Sequence, residues 1–331
     1  MRNLITDVPG LLVGQATEER AASGVTVVHL GGAWPAAVDV RGGGPGTRET
    51  EALAPENLIG RAHAVVLAGG SVFGLAAADG VAAALSARGI GLTLRPGSPP
   101  IPIVPAAVLH DLGNGGDKLW GLAPPYRALG MQALDHASAD FALGSVGAGR
   151  GAMAGLIKGG IGSASIDLGG GLIVGALIAL NSIGSALMPD GVTYWAWPFE
   201  LDDEFGGAKP PPGPVRIVDP APDESRLNAL GRLQPGANTT LGVVACSAVL
   251  TNVECKRVAM MAQDGIARAV RPAHTPFDGD TLFATASGAI ALDPDFQRPA
   301  QVGRIGSAAA DCVARAIARA VFHSRPGNRG T

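Results

Sequence analysis

Residues 239–250, TTLGVVACSAVL, carry a nearly unbroken apolar run. A strand with one face in water alternates apolar and polar side chains, whereas a strand buried on both faces is apolar throughout. The run therefore predicts a strand enclosed between layers. Comparable strands are expected at 24–30 (GVTVVHL), 172–182 (LIVGALIALNS) and 278–287 (DGDTLFATAS). A further strand is expected at 36–43 (AAVDVRGG), separated from the one at 24–30 by a Gly-Trp-Pro turn. The stretch 62–89 reads as strand, glycine turn and Ala-rich helix, and 251–270 and 304–324 read as helices. Thr251 followed three residues later by Glu254 has the spacing of a capping box. These elements lack the regular alternation of a doubly wound sheet. The expected class is α+β, a layered sandwich.

The 331 residues are expected to form a single domain. A Pro-, Gly- and charge-rich break predicts an exposed linker over about 201–235. Only 16% of residues are charged and 47% are hydrophobic, so part of the surface is expected to be hidden in a homo-oligomer, a tetramer or larger. A net charge of −3 gives no electrostatic case for nucleic acid. The most apolar stretch, 168–188, contains five glycines and Asn181, which favours a pair of buried strands over a membrane span. The start of the chain lacks the apolar core of a signal peptide. With Cys246, Cys255 and Cys312 scattered and no CxxC, a reducing, cytoplasmic setting is expected.

Several motifs fall short of a chemistry. GRGAMA (149–154) fits the dinucleotide fingerprint, but no good strand precedes it and Asp167 comes too early to be the ribose acid. AGGSVFGL resembles a serine elbow at Ser71, but Phe73 stands where the second glycine belongs, so Ser71 is expected to cap the following helix. The six histidines are isolated from one another, and neither metal nor cofactor is expected. His110, among apolar neighbours, reads by default as a core histidine.

The junction Asn238-Thr239-Thr240 admits three readings. It is a glycosylation sequon without a secretory signal, a plain entry from loop to strand, or a site of self-cleavage. In the third, the Thr239 hydroxyl attacks the preceding carbonyl, and the ester formed is hydrolysed. Thr239 is then a new N-terminus, whose amine has a pKa of about 7.7–8.0 and can serve as base for its own hydroxyl. Asp278 and Asp280, two residues apart, project to one side if extended and cannot both ionise freely. The alternative is an Asp-Gly turn followed by an unrelated acid.

The segments AVDVRGGGPGTRET (37–50), VVLAGGSVFGLAAADGV (65–81), VPAAVLHDLGNGGDK (104–118), GAGRGAMAGLIKGGIGSAS (147–165), GANTTLGVVAC (236–246) and FDGDTLFA (277–284) occur in an order that resembles the DmpA-like family. This is a family of self-processing hydrolases that includes aminopeptidases and nylon-oligomer hydrolases. The resemblance implies a four-layer αββα sandwich like that of N-terminal-nucleophile hydrolases. It implies cleavage into an α-chain 1–238 and a β-chain 239–331. It also implies Thr239 as nucleophile, Lys158 as a nearby cation, Asn181 as a carbonyl or oxyanion donor, and Asp278 and Asp280 as an acidic pair beside the new amine. His110 stands where some members carry a tyrosine, a departure that leaves its substrate-binding part open. The implied substrates are small-molecule or peptide amides, including nylon-type oligomers. Two other readings remain: an ornithine acetyltransferase-like acyl transfer, although Asn-Thr-Thr-Leu differs from the Ala-Thr-Met-Leu setting expected there, and a non-enzymatic nucleotide-binding or assembly protein.

Overall fold

The computed structural model describes residues 1–213, 221, 223–227 and 238–327. The strands are β1 Leu12–Glu18, β2 Ser23–Val40, β3 Thr47–Arg48, β4 Arg61–Ala68, β5 Ala106–Val108, β6 Met153–Ala154, β7 Ile157–Lys158, β8 Gly160–Asp167, β9 Ile173–Asn181, β10 Thr239–Ala248 and β11 Thr281–Ile290. The helices are α1 Ala76–Ala87, α2 Tyr126–Asp135, α3 Asn252–Ala269 and α4 Arg298–Ser324.

Strand parity builds the layers. Val65 and Leu67 of β4 and Val28 of β2 pack in one cluster with Leu177 of β9 and Leu241 and Val243 of β10. The intervening residues face outward to helices. Val66 and Val27 meet Val81, Leu85 and Leu129 of α1 and α2, while Ile178 and Val244 meet Ile266, Val313 and Ile317 of α3 and α4. The order is therefore helices, sheet, sheet, helices, the expected αββα sandwich. Both faces of β10 are covered, which is why its sequence does not alternate. Val243 and Val244 are 0% and 1% exposed, and each buried side chain contributes roughly 2 kcal/mol.

The two sheets share β2. Strands run in the order β3-β5-β4-β2-β11-β10-β9-β8, with β1 also paired to β2. The Gly-Trp-Pro stretch is not a turn between strands, as the sequence suggested. It is a register shift between His29 and Trp34 inside one 18-residue strand, with Gly31 at φ +68°. The irregularity lets β2 leave β4 and finish against β11 from Ala36 to Val40.

Two further expectations change. The stretch 168–188 supplies one buried strand, β9, followed by irregular buried chain rather than a second strand. Ser71 does not cap α1. It has φ +53° at the start of a short 3₁₀ turn, and the α1 N-cap position is Leu75. GRGAMA lies in a 3₁₀ turn leading to the two-residue β6, so no helix N-terminus is available for a pyrophosphate. Of the linker, the described residues are exposed or partly buried, except that Phe205 and Ser225 are buried; 214–220, 222 and 228–235 lie outside the described residues. Among the described residues, no helix is long and apolar enough to cross a membrane.

Candidate active site

Thr239 opens β10, and its cross-strand partner is Asn181, the last residue of β9. Directly opposed residues project from the same face of a sheet. Both side chains follow the parity of Leu241 and Ala179, which line the seam between the sheets. The site is thus at the end of that seam, on rigid central strands.

The carbonyl of Asn238 is its focus. It accepts a hydrogen bond from Thr239 Oγ1 at 2.5 Å and from the Gly279 N–H at 2.8 Å. Two donors on one carbonyl draw negative charge onto its oxygen. Gly279 has to be glycine, because a Cβ there would lie 2.8 Å from Thr239 Oγ1 and 2.9 Å from the Gly44 carbonyl. The Asn238 side chain is fully buried, with neither amide atom partnered among the described residues.

Asp278 and Asp280 flank this point, each 1% exposed. Asp280 Oδ1 accepts from the Thr240 N–H at 2.7 Å, and its Oδ2 accepts from His274 Nδ1 at 2.8 Å and the His274 N–H at 3.1 Å. Asp278 Oδ2 meets Thr275 Oγ1 at 2.6 Å and accepts the Thr275 N–H at 2.9 Å, while Oδ1 accepts the Ile183 N–H at 3.3 Å. Burial first, and the charge of Asp280 second, push the Asp278 carboxyl up to about 6. Arg226 faces Asp278; burial pulls its guanidinium down to about 10, partly offset by that carboxylate. The bare Asp-Gly turn alternative does not describe these residues, since both carboxylates are buried and fully engaged.

Asn181 is held on both sides. Its Oδ1 accepts the Met153 N–H at 3.0 Å and Asn114 Nδ2 at 3.2 Å, and its Nδ2 donates to the His110 carbonyl at 3.1 Å. These partners fix which end of the amide points where, leaving a second Nδ2 hydrogen to serve a substrate. His110 is half-buried rather than a core residue. It lines a cavity of about 320 Å³ with Gly44, Pro45, Gly46, Ser71, Val72, Leu75 and Val108. That cavity borders the surroundings of Thr239 twice, through Gly44 beside Gly279 and through His110 beside Asn181. A larger groove, about 1080 Å³ between Arg2, Phe141, Arg150 and His323, touches none of these residues.

Lys158 is the residue the structure does not bring in. It is exposed on β7, with no hydrogen bond or ion pair to Thr239 or the aspartates among the described residues. Its strand partner is Met153, whose N–H holds Asn181. Sequence reading passed over Gly279, Thr275 and His274. All three lie in 274–281, HTPFDGDT, around the aspartates that were noticed, and that density of polar residues before a buried strand was the available signal. Among the described residues, no group of three or more His, Cys, Asp or Glu side chains could hold a metal ion.

The profile of peptidase family S58 matches residues 3–329. The chain belongs to peptidase family S58. An uncharacterized aminopeptidase of Mycobacterium tuberculosis is 43% identical over 340 residues, covering 98% of this S58 chain and 95% of its own length. A 6-aminohexanoate-oligomer endohydrolase of Kocuria sp. is 30% identical over 293 residues, covering 86% of this chain and 75% of its own. The solved β-aminopeptidase of Burkholderia sp. superposes with a TM-score of 0.69 at 24% identity, covering 97% of this chain and 86% of that one. The L-aminopeptidase D-Ala-esterase/amidase of Ochrobactrum anthropi, a variant of the Ntn-hydrolase fold, gives 0.65 at 21% identity, covering 96% and 85%. These two likenesses establish the fold. As an S58 member with that architecture, the protein is an amide hydrolase, which sets aside the acetyltransferase and non-enzymatic readings.

Proposed function

We propose that the chain cuts itself between Asn238 and Thr239 and then hydrolyses small amides with Thr239 as nucleophile. In the cut, Thr239 Oγ attacks the Asn238 carbonyl carbon, the C–N bond breaks and an ester forms. Water then opens the ester to an Asn238 carboxylate and a free Thr239 amine. In turnover that amine accepts the hydroxyl proton, Oγ attacks the substrate carbonyl, and the amine returns the proton to the leaving nitrogen. Water releases the acyl group in the same way. The observation that carries the reading is the Asn238 carbonyl, bracketed at 2.5 Å by Thr239 Oγ1 and at 2.8 Å by the Gly279 N–H.

Asn181 is assigned the substrate oxyanion and Asp278 and Asp280 the amine. Lys158 is assigned, on family resemblance, the cation that steadies the nucleophile. The cavity beside His110 is at the small end of ligand pockets, with Val72, Leu75 and Val108 supplying an apolar side and Ser71 and His110 a polar one. It suits small acyl groups, whether of aminopeptidase substrates or of 6-aminohexanoate units. We expect a homo-oligomer, in keeping with the strongly exposed Leu58, Leu119 and Leu122.

The test is Thr239→Ala. The purified variant is expected to run as one uncut chain on a denaturing gel and to hydrolyse neither amino-acid anilides nor a 6-aminohexanoate oligomer. Normal cutting in that variant would overturn the assignment.

A further inference from the structure

His274 sits behind the acidic pair with its backbone at φ +55°. That conformation turns both its N–H and its ring Nδ1 onto one oxygen, Asp280 Oδ2. The ring also faces the backbone carbonyl of Gln263 in α3. A neutral imidazole has one N–H, so a ring facing an ionised carboxylate and a carbonyl at once is satisfied in both directions only as an imidazolium.

The two carboxyls differ in what they can give away. All three partners of Asp280 are N–H donors: Thr240 N, His274 N and His274 Nδ1. With His274 as an imidazolium none of them accepts, so a proton on Asp280 would have nowhere to point. Asp278 has the Thr275 hydroxyl at 2.6 Å, and a hydroxyl can accept. One proton shared by the pair therefore belongs on Asp278, directed at Thr275 Oγ1.

We propose that His274 is a positioning residue for the pair: as an imidazolium it keeps Asp280 ionised against the Thr240 N–H and leaves the exchangeable proton on Asp278, beside the bond to be cut. This rests on the reading of Thr239 as nucleophile. Before the cut, the single negative charge of the pair is balanced by the imidazolium. After it, that proton can move between Asp278 and the new amine, and the amine accepts the hydroxyl proton while Asp278 holds it.

The charged groups around His274 agree with this role. Asp278 and Asp280 face it from the lead-in to β11, and α3 presents only the Gln263 carbonyl. On the far side of the pair, Arg226 faces Asp278. Asp39, whose carbonyl accepts from Gln263 Nε2, has its carboxylate already held by Arg41 and Lys256. Burial pulls the imidazole pKa down, but the Asp280 bond and charge, the Gln263 carbonyl and Asp278 together lift it above the ordinary value.

The test is the pH profile of kcat/KM for a chromogenic amino-acid anilide, comparing His274→Gln with the unaltered enzyme. Losing a cation next to a carboxylate raises that carboxylate's pKa, so the acid limb is expected to move up by at least about one pH unit. Superimposable profiles would overturn the proposal. A second measurement needs no substitution. In tag-free, histidine-¹⁵N-labelled protein, the His274 imidazole is expected to lose its second proton above the ordinary 6.5. A His274 ring already neutral below that pH would overturn the proposal equally. Thr239→Ala separates the two ideas: if it is still cut, the nucleophile assignment has failed, whereas an uncut Thr239→Ala with an unmoved His274→Gln profile removes only the role of His274.

Discussion

At the scale of single residues, the site holds a conflict between stability and chemistry. Asp278 is buried next to another carboxylate, and its pKa rises from the ordinary 3.8 to about 6. A group whose folded pKa is raised binds its proton more tightly in the folded state. The fold is therefore favoured while Asp278 is protonated and loses stability as pH rises from about 4 through about 6. Asp278→Asn keeps one oxygen for the Ile183 N–H, places an amide nitrogen where Oδ2 meets Thr275, and removes the ionisation. It is expected to be more stable than the parent at pH 8, by up to roughly 3 kcal/mol, and to show no gain at pH 4. Urea unfolding at the two pH values checks this, and a destabilised variant at pH 8 would contradict the raised pKa. The same variant is expected to lose turnover, since the exchangeable proton is gone.

At the scale of elements, α3 shows what the sequence states locally. Thr251 Oγ1 accepts the Glu254 N–H at 3.3 Å, and Glu254 Oε2 accepts the Thr251 N–H at 2.8 Å, the capping box expected from spacing alone. Arg298 at the start of α4 adds a 2.5 Å bond to the same carboxylate, tying the two helices' N-termini together. Arg298 first, despite opposing burial, and then the Thr251 bonds hold the Glu254 carboxyl down at about 2. A lowered pKa contributes stability above the ordinary 4.5 that is lost as pH falls toward 2. Glu254→Gln is thus expected to cost about 1 kcal/mol at pH 7, with the difference from the parent narrowing as pH falls below about 4.5. Thermal unfolding across that range reads it directly. Caps and apolar runs are legible because their partners lie within a turn or a strand. The path of β2 was not, because Gly-Trp-Pro reads alike as a turn or as a bulge, and only the distant β4 and β11 decide between them. Nor was the close seating of α4, where a Cβ on Gly162 would meet the Ala316 carbonyl at 1.8 Å. At the site, Thr239 and the aspartates stood out in the sequence and Asn181 followed from the family resemblance, whereas His274 and Thr275 act through hydrogen bonds that spacing does not reveal.

At the scale of the whole molecule, the proposed cut falls in an unusual place. It precedes a central strand rather than an edge. β10 is hydrogen-bonded to β9 on one side, antiparallel, and to β11 on the other, parallel. The β-chain of 331 − 238 = 93 residues would hold β10, α3, β11 and α4. Its β10 pairs with β9 of the α-chain, its β11 pairs with β2, and α4 packs on β8 and β9. Separation would expose one face of the inter-sheet core and two sheet edges at once, a cost far above the few kcal/mol by which domains are stable. The two chains are therefore expected to co-elute as one species on gel filtration in buffer and to part only in denaturant. Denaturing electrophoresis of that single peak should give two bands, with Thr239 as the first residue of the smaller. Fragments that drift apart in plain buffer would mean that β10 is not the interior strand on which both the fold and the position of Thr239 depend.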